Sequence, residues 1–426
     1  MLSRVNTTSD QLSHGERLRQ LDVLRAVAIV LVLMHHSNEL LAPAGVFAGL
    51  VRFAENFGWT GVDLFFVLSG FLIGGLLFRE IDRTGKFRIG RFLIRRGFKI
   101  WPGYFALVAY VEFRLVRHGE SVSHVVALYW ANLLQIQNYT RNIRSLTWSL
   151  AVEEHFYLLL PVALAVMLWR GGREWVRKNF MAAAWVVIGA TATFRTIHGI
   201  YWPYSMDTHY FPTHIRIDAL LFGVVLAHIA TFSPGLWTRL LAWKWALMAT
   251  GIVLISPMLF LDHNENAFVW TGGFSLLYLG YGSLMIAMLA VKPGVGWDGR
   301  LLASPVGRFL SWMGLYSYGI YLWHVDLAAR PVAIHLQGLW MRMPLGMGWA
   351  AAMVTFMVVA VLAGVVMTML IEWPFMALRS KLYPARGEAA AVETRREAAA
   401  VGGDGGDKKI AQGEITGERK MRRAAV

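Results

Sequence analysis

The chain has 426 residues, of which 56% are hydrophobic and 16% charged, against about 25% charged in an ordinary globular domain, so the composition is that of a polytopic membrane protein. The absence of cysteine excludes disulfides, iron–sulfur clusters, thiolate metal sites and a cysteine acyl-enzyme. A net charge of +14 would suggest nucleic acid for a soluble domain, but in a membrane chain it reads as topology charge, and no nucleic-acid partner is expected.

Residues 1–20 are polar and carry Arg4, Arg17 and Arg19, which places them in the cytoplasm and sends the first span, 21–41, outward. A second span, 58–78, returns inward. The connection that follows is dense with Arg79, Arg83, Lys86, Arg88, Arg91, Arg95, Arg96 and Lys99, the strongest inside signal in the chain. After a third span, 100–116, comes an outer loop of roughly 30 residues, long enough to serve as a lid or substrate rim. The fourth span, 147–169, ends at Arg170, Arg173, Arg177 and Lys178, again basic and again inside.

Further apolar stretches lie near 180–199, 214–232, 245–261, 268–291, 309–328 and 347–371, each long enough to cross a bilayer. The expected fold is therefore all-α, a transmembrane helix bundle of about ten spans with both termini cytoplasmic. One transmembrane unit over 21–380 follows the short N-terminal segment. Beyond Pro384 the chain turns to Ala, Gly, Glu, Arg and Lys without hydrophobic periodicity, which predicts a disordered cytoplasmic tail over 384–426.

The first span, LDVLRAVAIVLVLMHHSNELL, carries the most informative polar residues. At about 100° and 1.5 Å per residue, Arg25 and His36 fall on one face about 16 Å apart, with Asp22 and Glu39 close to the same stripe and His35 rotated by about 80°. Ionisable groups at membrane depth face a protein interior or a water-filled cavity and count as functional candidates. Glu153 in TWSLAVEEHFY, with Glu154 beside it, and His324 in YSYGIYLWH reach depths similar to that of His36. Asp63, Arg216 and Asp218 lie near the outer starts of their spans. Acids, histidines and an arginine thus gather in the outer half, whereas Arg25, Arg91, Arg95, Arg96 and Lys99 gather at the inner mouth.

This polarity suits an anionic reactant entering from the cytoplasm, with its phosphates on the inner cations, and proton chemistry near the opposite face. A histidine supported by a carboxylate is equipped to take a proton from a hydroxyl as it attacks a carbonyl. Acyl transfer from a phosphate-bearing carrier to an alcohol uses both clusters. His35 and Glu39 have metal-ligand spacing, but one such pair does not make a site, and no metal is expected. The competing class is a proton-coupled secondary transporter, which could use the same charges.

At these residues the chain resembles the acyltransferase family 3 group of integral-membrane O-acyltransferases, over about residues 18 to 380. The resemblance is carried in order by LDVLRAVAIVLVLMHHS, GVDLFFVLSGFLI, RRGFKIWPGYF, TWSLAVEEHFYLLLP, RIDALLFG and YSYGIYLWH. It implies about ten transmembrane helices and transfer of an acyl group, often acetyl from acetyl-CoA, to an extracytoplasmic acceptor such as a cell-envelope or exported polysaccharide. By position, the family's arginine and histidine fall on Arg25 and His36, and its motif glutamate on Glu153. Where the family's basic motif ends in arginine, this chain has Lys99, which keeps the charge but loses the bidentate fork.

The combined expectation is an enzyme of the lipid bilayer, in a bacterial cytoplasmic membrane, with acyl-CoA as co-substrate and no resident cofactor. Arg25, Arg95, Arg96 and Lys99 bind the donor, and His36, oriented by Glu153 or Glu154, acts as base or, alternatively, carries the acyl group transiently. Asp63, Arg216, Asp218 and His324 bind the acceptor or stabilise charge. No oligomeric state is implied.

Overall fold

The computed structural model describes residues 18–37, 49, 53, 56–140, 145–262, 266–344 and 347–383. The polar N-terminus, Glu39, most of the first outer loop and the C-terminal tail, all named above as expectations, lie outside the described residues. Within them every regular element is helical.

Helix α1, Arg19–His36, buries Leu21, Leu24, Ala28, Ile29, Val32 and Leu33 and carries Asp22 in its first turn, where the helix dipole favours a carboxylate. Helix α2, Gly61–Thr84, follows it in the opposite direction and ends on Gly85, whose φ of 67° supplies a left-handed cap that a residue with a Cβ adopts only at a cost. Helix α3, Ile89–Arg117, is longer than the apolar run alone predicts. The basic residues 91–99, expected in a connection, form its first turns because their spacing leaves Phe92, Gly97 and Ile100 on a buried face. The expected outer loop then contains helix α4, Val122–Leu133.

Helix α5, Trp148–Tyr201, is 54 residues long and breaks at Gly171–Gly172, where the dihedrals leave the helical region. The break reverses the chain. Arg173 meets Asp82 near the end of α2, and Phe180 meets Phe78. Farther on, Arg195 reaches Asp218, next to the Arg216–Asp63 pair at the start of α2. The expected spans 147–169 and 180–199 are therefore the two arms of one broken element.

Helix α6, Ile217–Phe232, turns through 111° into α7, Pro234–Ala242. Helix α8, Lys244–Ile255, packs on α9, Phe274–Leu289, and two short helices follow, α10 at Gly296–Ala303 and α11 at Pro305–Leu315. The expected ninth span is split: α11 gives way at Tyr316 to α12, Ser317–Trp323, which runs into a π-turn, His324–Ala329, and then α13, Arg330–Trp340. Helix α14, Met347–Met367, passes through another such turn, Thr368–Glu372, into α15, Trp373–Leu382. Among the described residues, four helices are long and apolar enough to cross a membrane, 56–84, 148–201, 269–289 and 347–382, and α6 with α7 makes a fifth if that bent pair is one span.

Close backbone approach holds the centre of the bundle together. A Cβ on Gly70 would lie 1.9 Å from the carbonyl oxygen of Leu220, and one on Gly223 would lie 2.2 Å from that of Val67. Between apolar helices in lipid, with little hydrophobic drive to associate, small residues that admit tight van der Waals contact supply the attraction. In the same way Gly314 seats α11 on α1, where its Cβ would meet the carbonyl oxygen of Asp22 at 1.8 Å.

Gly70→Val is expected to push α2 from α6 and to lower stability by about 1–3 kcal/mol, the usual cost of overpacking. Gly189→Ala, at a site with no atom within 4 Å, serves as the control. Thermal unfolding of both variants in detergent checks this, and equal midpoints would refute the packing argument.

Candidate active site

A cavity of about 770 Å³ opens among α1, α2, α3, α5, α12 and α15. Arg79, Arg83, Arg88 and Arg91 line one end, and Val62, Phe65, Ser149 and Tyr321 line the other. Along α2, Val62 and Arg83 are separated by about 31 Å of helical rise, so the cavity is long and runs with the helix axes. All four expected donor-binding residues, Arg25, Arg95, Arg96 and Lys99, line it together with Glu153 and Glu154.

The cations are held in different ways. Arg25 lies 3.0 Å from Asp22 one turn earlier on α1. Arg95 donates to the backbone carbonyl of Tyr383, tying the start of α3 to the end of α15. Arg96 stands over the ring of Tyr157, 4.7 Å from its centre. Lys99 shares the cavity wall with Glu372 and Arg379, and Glu372 accepts a 2.9 Å hydrogen bond from Thr368 in the π-turn Thr368–Glu372.

Glu153 accepts a short hydrogen bond from the hydroxyl of Tyr157 and a longer one, 3.4 Å, from Ser69. The hydroxyls of Ser69 and Tyr157 are themselves 2.6 Å apart. Glu154 accepts from the indole of Trp101 at 3.3 Å. Its other oxygen is buried without a hydrogen-bond partner.

His36 and His324 lie outside the cavity lining and against each other, with ring centres 4.8 Å apart and planes at 73°. His36 Nδ1 is 3.0 Å from the carbonyl oxygen of Val32, and His324 Nδ1 is 2.8 Å from that of Tyr321. A carbonyl only accepts, so in each ring Nδ1 carries the proton and the neutral form keeps its lone pair on Nε2. His324 is fully buried, and its Nε2 has no partner. A π-turn begins at His324, and Asp326 within it lies between Arg114 at 3.7 Å and Arg330 at 3.6 Å.

The expected support of His36 by Glu153 is not a direct bond: the Glu153 carboxylate is taken by Ser69 and Tyr157, and the tautomer of His36 is set by its own helix. Asp63, Arg216 and Asp218 likewise sit away from the cavity. Arg216 pairs with Asp63 at 2.8 Å, and Asp218 pairs with Arg195 at 2.8 Å, all four side chains about 1% exposed. Rings surround Arg216, the nearest being Phe274 at 3.8 Å. Removing one partner from such a buried pair costs about 3–5 kcal/mol, so these pairs fasten α2, α5 and α6 whatever else they do.

Sequence reasoning passed over Tyr157, Ser69, Tyr321, Arg195 and Glu372. Arg195 and Glu372 were open to detection as lone charges within apolar runs, ATATFRTIHG and TMLIEWPF. Nothing in the sequence distinguishes Ser69 or Tyr321 from the many other hydroxyls in spans.

Residues 18–375 match a family described as an acyltransferase domain. A protein of Staphylococcus aureus strain COL, named "Putative O-acetyltransferase SACOL0978", is 28% identical over 343 residues, covering 75% of this chain and 52% of that one. O-acetyltransferase OatA of Staphylococcus aureus strain NCTC 8325 is 26% identical over 340 residues, with the same coverage. The chain spans about half the length of these curated relatives. No solved structure matches it. With the match running from the start of α1 into the beginning of α15, the chain belongs to the acyltransferase domain family.

Proposed function

We propose that this chain is a membrane O-acyltransferase that moves an acyl group, acetyl in the first instance, from cytoplasmic acyl-CoA to a hydroxyl of an extracytoplasmic carbohydrate. It would sit in a bacterial cytoplasmic membrane as a bundle of about ten spans with both termini inside. One observation carries the reading: a single elongated cavity joins a cationic mouth to a wall beside two histidines packed ring against ring. The family match and the names of the two relatives agree with it.

On this reading the donor phosphates meet Arg25, Arg95, Arg96 and Lys99, where charge-assisted hydrogen bonds hold them. The thioester arm runs along α2 past Glu153 and Glu154. The acceptor hydroxyl gives its proton to Nε2 of His36 while its oxygen attacks the thioester carbonyl. The C–O bond forms and the C–S bond breaks, the electron pair leaves with sulfur, and the proton passes from His36 to the CoA thiolate. Glu153 holds Tyr157 and Ser69 along the path of the donor. Asp63, Arg216 and Asp218 keep the outer end of the bundle in place for the acceptor, and His324 steadies the ring of His36.

His36→Ala is expected to reduce transfer by about 10²–10⁴-fold, the usual contribution of a general base, at unchanged protein level. Labelled acetyl-CoA supplied to membranes, with incorporation into the envelope fraction counted, measures it; full activity would remove His36 from the mechanism. Arg96→Gln should raise the KM for acetyl-CoA about tenfold, equivalent to about 1.4 kcal/mol, with kcat changed less. The wild-type KM itself should rise with ionic strength as the mouth is screened. A salt-independent KM would count against phosphate binding there.

A further inference from the structure

We infer that Phe65 and Tyr321 form a constriction that sets the length of the acyl group transferred, an inference that rests on the donor site proposed above. Both rings line the cavity at the end away from the cationic mouth and meet edge to face, with centres 6.3 Å apart. Just beyond Tyr321 lies His324, its ring centre 6.0 Å away, and against His324 lies His36.

The order along the helices agrees from two sides. On α12, Tyr318 and Tyr321 line the cavity and His324 is one turn farther on. On α1, Val32 packs at Gly61, the first residue of α2, so His36, one turn beyond Val32, stands past Val62, where the lining of the cavity by α2 begins. The histidines are therefore behind the aromatic wall as seen from the cationic mouth.

The wall is fixed in place. The hydroxyl of Tyr321 donates to the carbonyl of Leu146 at 2.8 Å and is 2.6 Å from that of Ser149, so its ring is anchored to the start of α5. Phe65 has no such tether and is only partly buried. Behind the wall, the unpartnered and fully buried Nε2 of His324 marks a polar place prepared for a group that can hydrogen-bond, since a buried nitrogen without a partner is costly. An acyl carbon that reaches His36 must pass these two rings. Each added methylene must find room between them, and one methylene against a shaped apolar wall is worth about 10–200-fold in discrimination.

The test supplies labelled acetyl-, butanoyl- and hexanoyl-CoA to permeabilised membranes that contain the full chain and its own acceptor, and reads label in the envelope fraction. Wild type should prefer acetyl to hexanoyl by at least about tenfold, and Phe65→Ala should raise the hexanoyl-to-acetyl ratio by about tenfold or more. Phe65→Leu, a smaller change that keeps the wall apolar, should shift the ratio in the same direction and serves where the alanine variant does not accumulate. Tyr321→Phe, which releases the ring from Leu146 and Ser149, should also relax the profile. An unchanged ratio in variants present at wild-type level, or a wild type indifferent to chain length, overturns the constriction while leaving acyl transfer standing. Failure of wild type to incorporate any acyl label overturns the proposed function and the constriction together.

Discussion

A charge inside a helical bundle must find a partner within the protein, because the surrounding hydrocarbon offers none. That constraint separates two groups of ionisable residues in this chain. Asp63, Arg216, Asp218 and Arg195 neutralise one another at about 1% exposure and bind three helices together. Arg25, Arg96, Lys99, Glu153, Glu154 and Glu372 instead line a cavity, which keeps space beside them for a ligand. The first population builds the frame and the second is what the frame presents.

The glycine contacts belong to the same economy of space. Gly70 and Gly223 bring α2 and α6 to backbone contact, which places Asp63 near the start of α2 within 2.8 Å of Arg216 at the start of α6. On its other side α2 supplies Val62, Phe65 and Ser69 to the cavity. One helix thus carries the structural ion pair and the wall of the site, so a shift in its packing alters both.

Much of this was legible in the residues, because the strongest signals were physical ones. The eleven-residue spacing of Arg25 and His36 put them on one face of α1, and the depth argument that matched His36 with His324 anticipated rings now found 4.8 Å apart. The same argument matched Glu153 with His36, yet the carboxylate turns to Ser69 and Tyr157: depth fixes the level of a side chain and says nothing of its azimuth around the bundle. Hydropathy marked spans on either side of residue 172 but gave no reason to expect one helix broken by a glycine pair. It also took the basic run 91–99 for a loop, since charge density outweighs a sparse buried stripe in any window average. The π-turn at His324 left no trace in the sequence, for its wider turn depends on packing such as the contact of Asp326 with Arg114 on α3, which residue spacing does not reveal.

Helix α1 carries the cation of the cavity mouth and the histidine behind the wall on one continuous rod. Their separation is therefore a fixed gauge of about 16 Å, insensitive to how the other helices rearrange. On the proposed reading, the gauge selects donors by reach: a carrier must hold its thioester a set distance from its phosphates. A compact activated acyl group, with the phosphate bonded directly to the carbonyl, could engage one end of α1 and never the other.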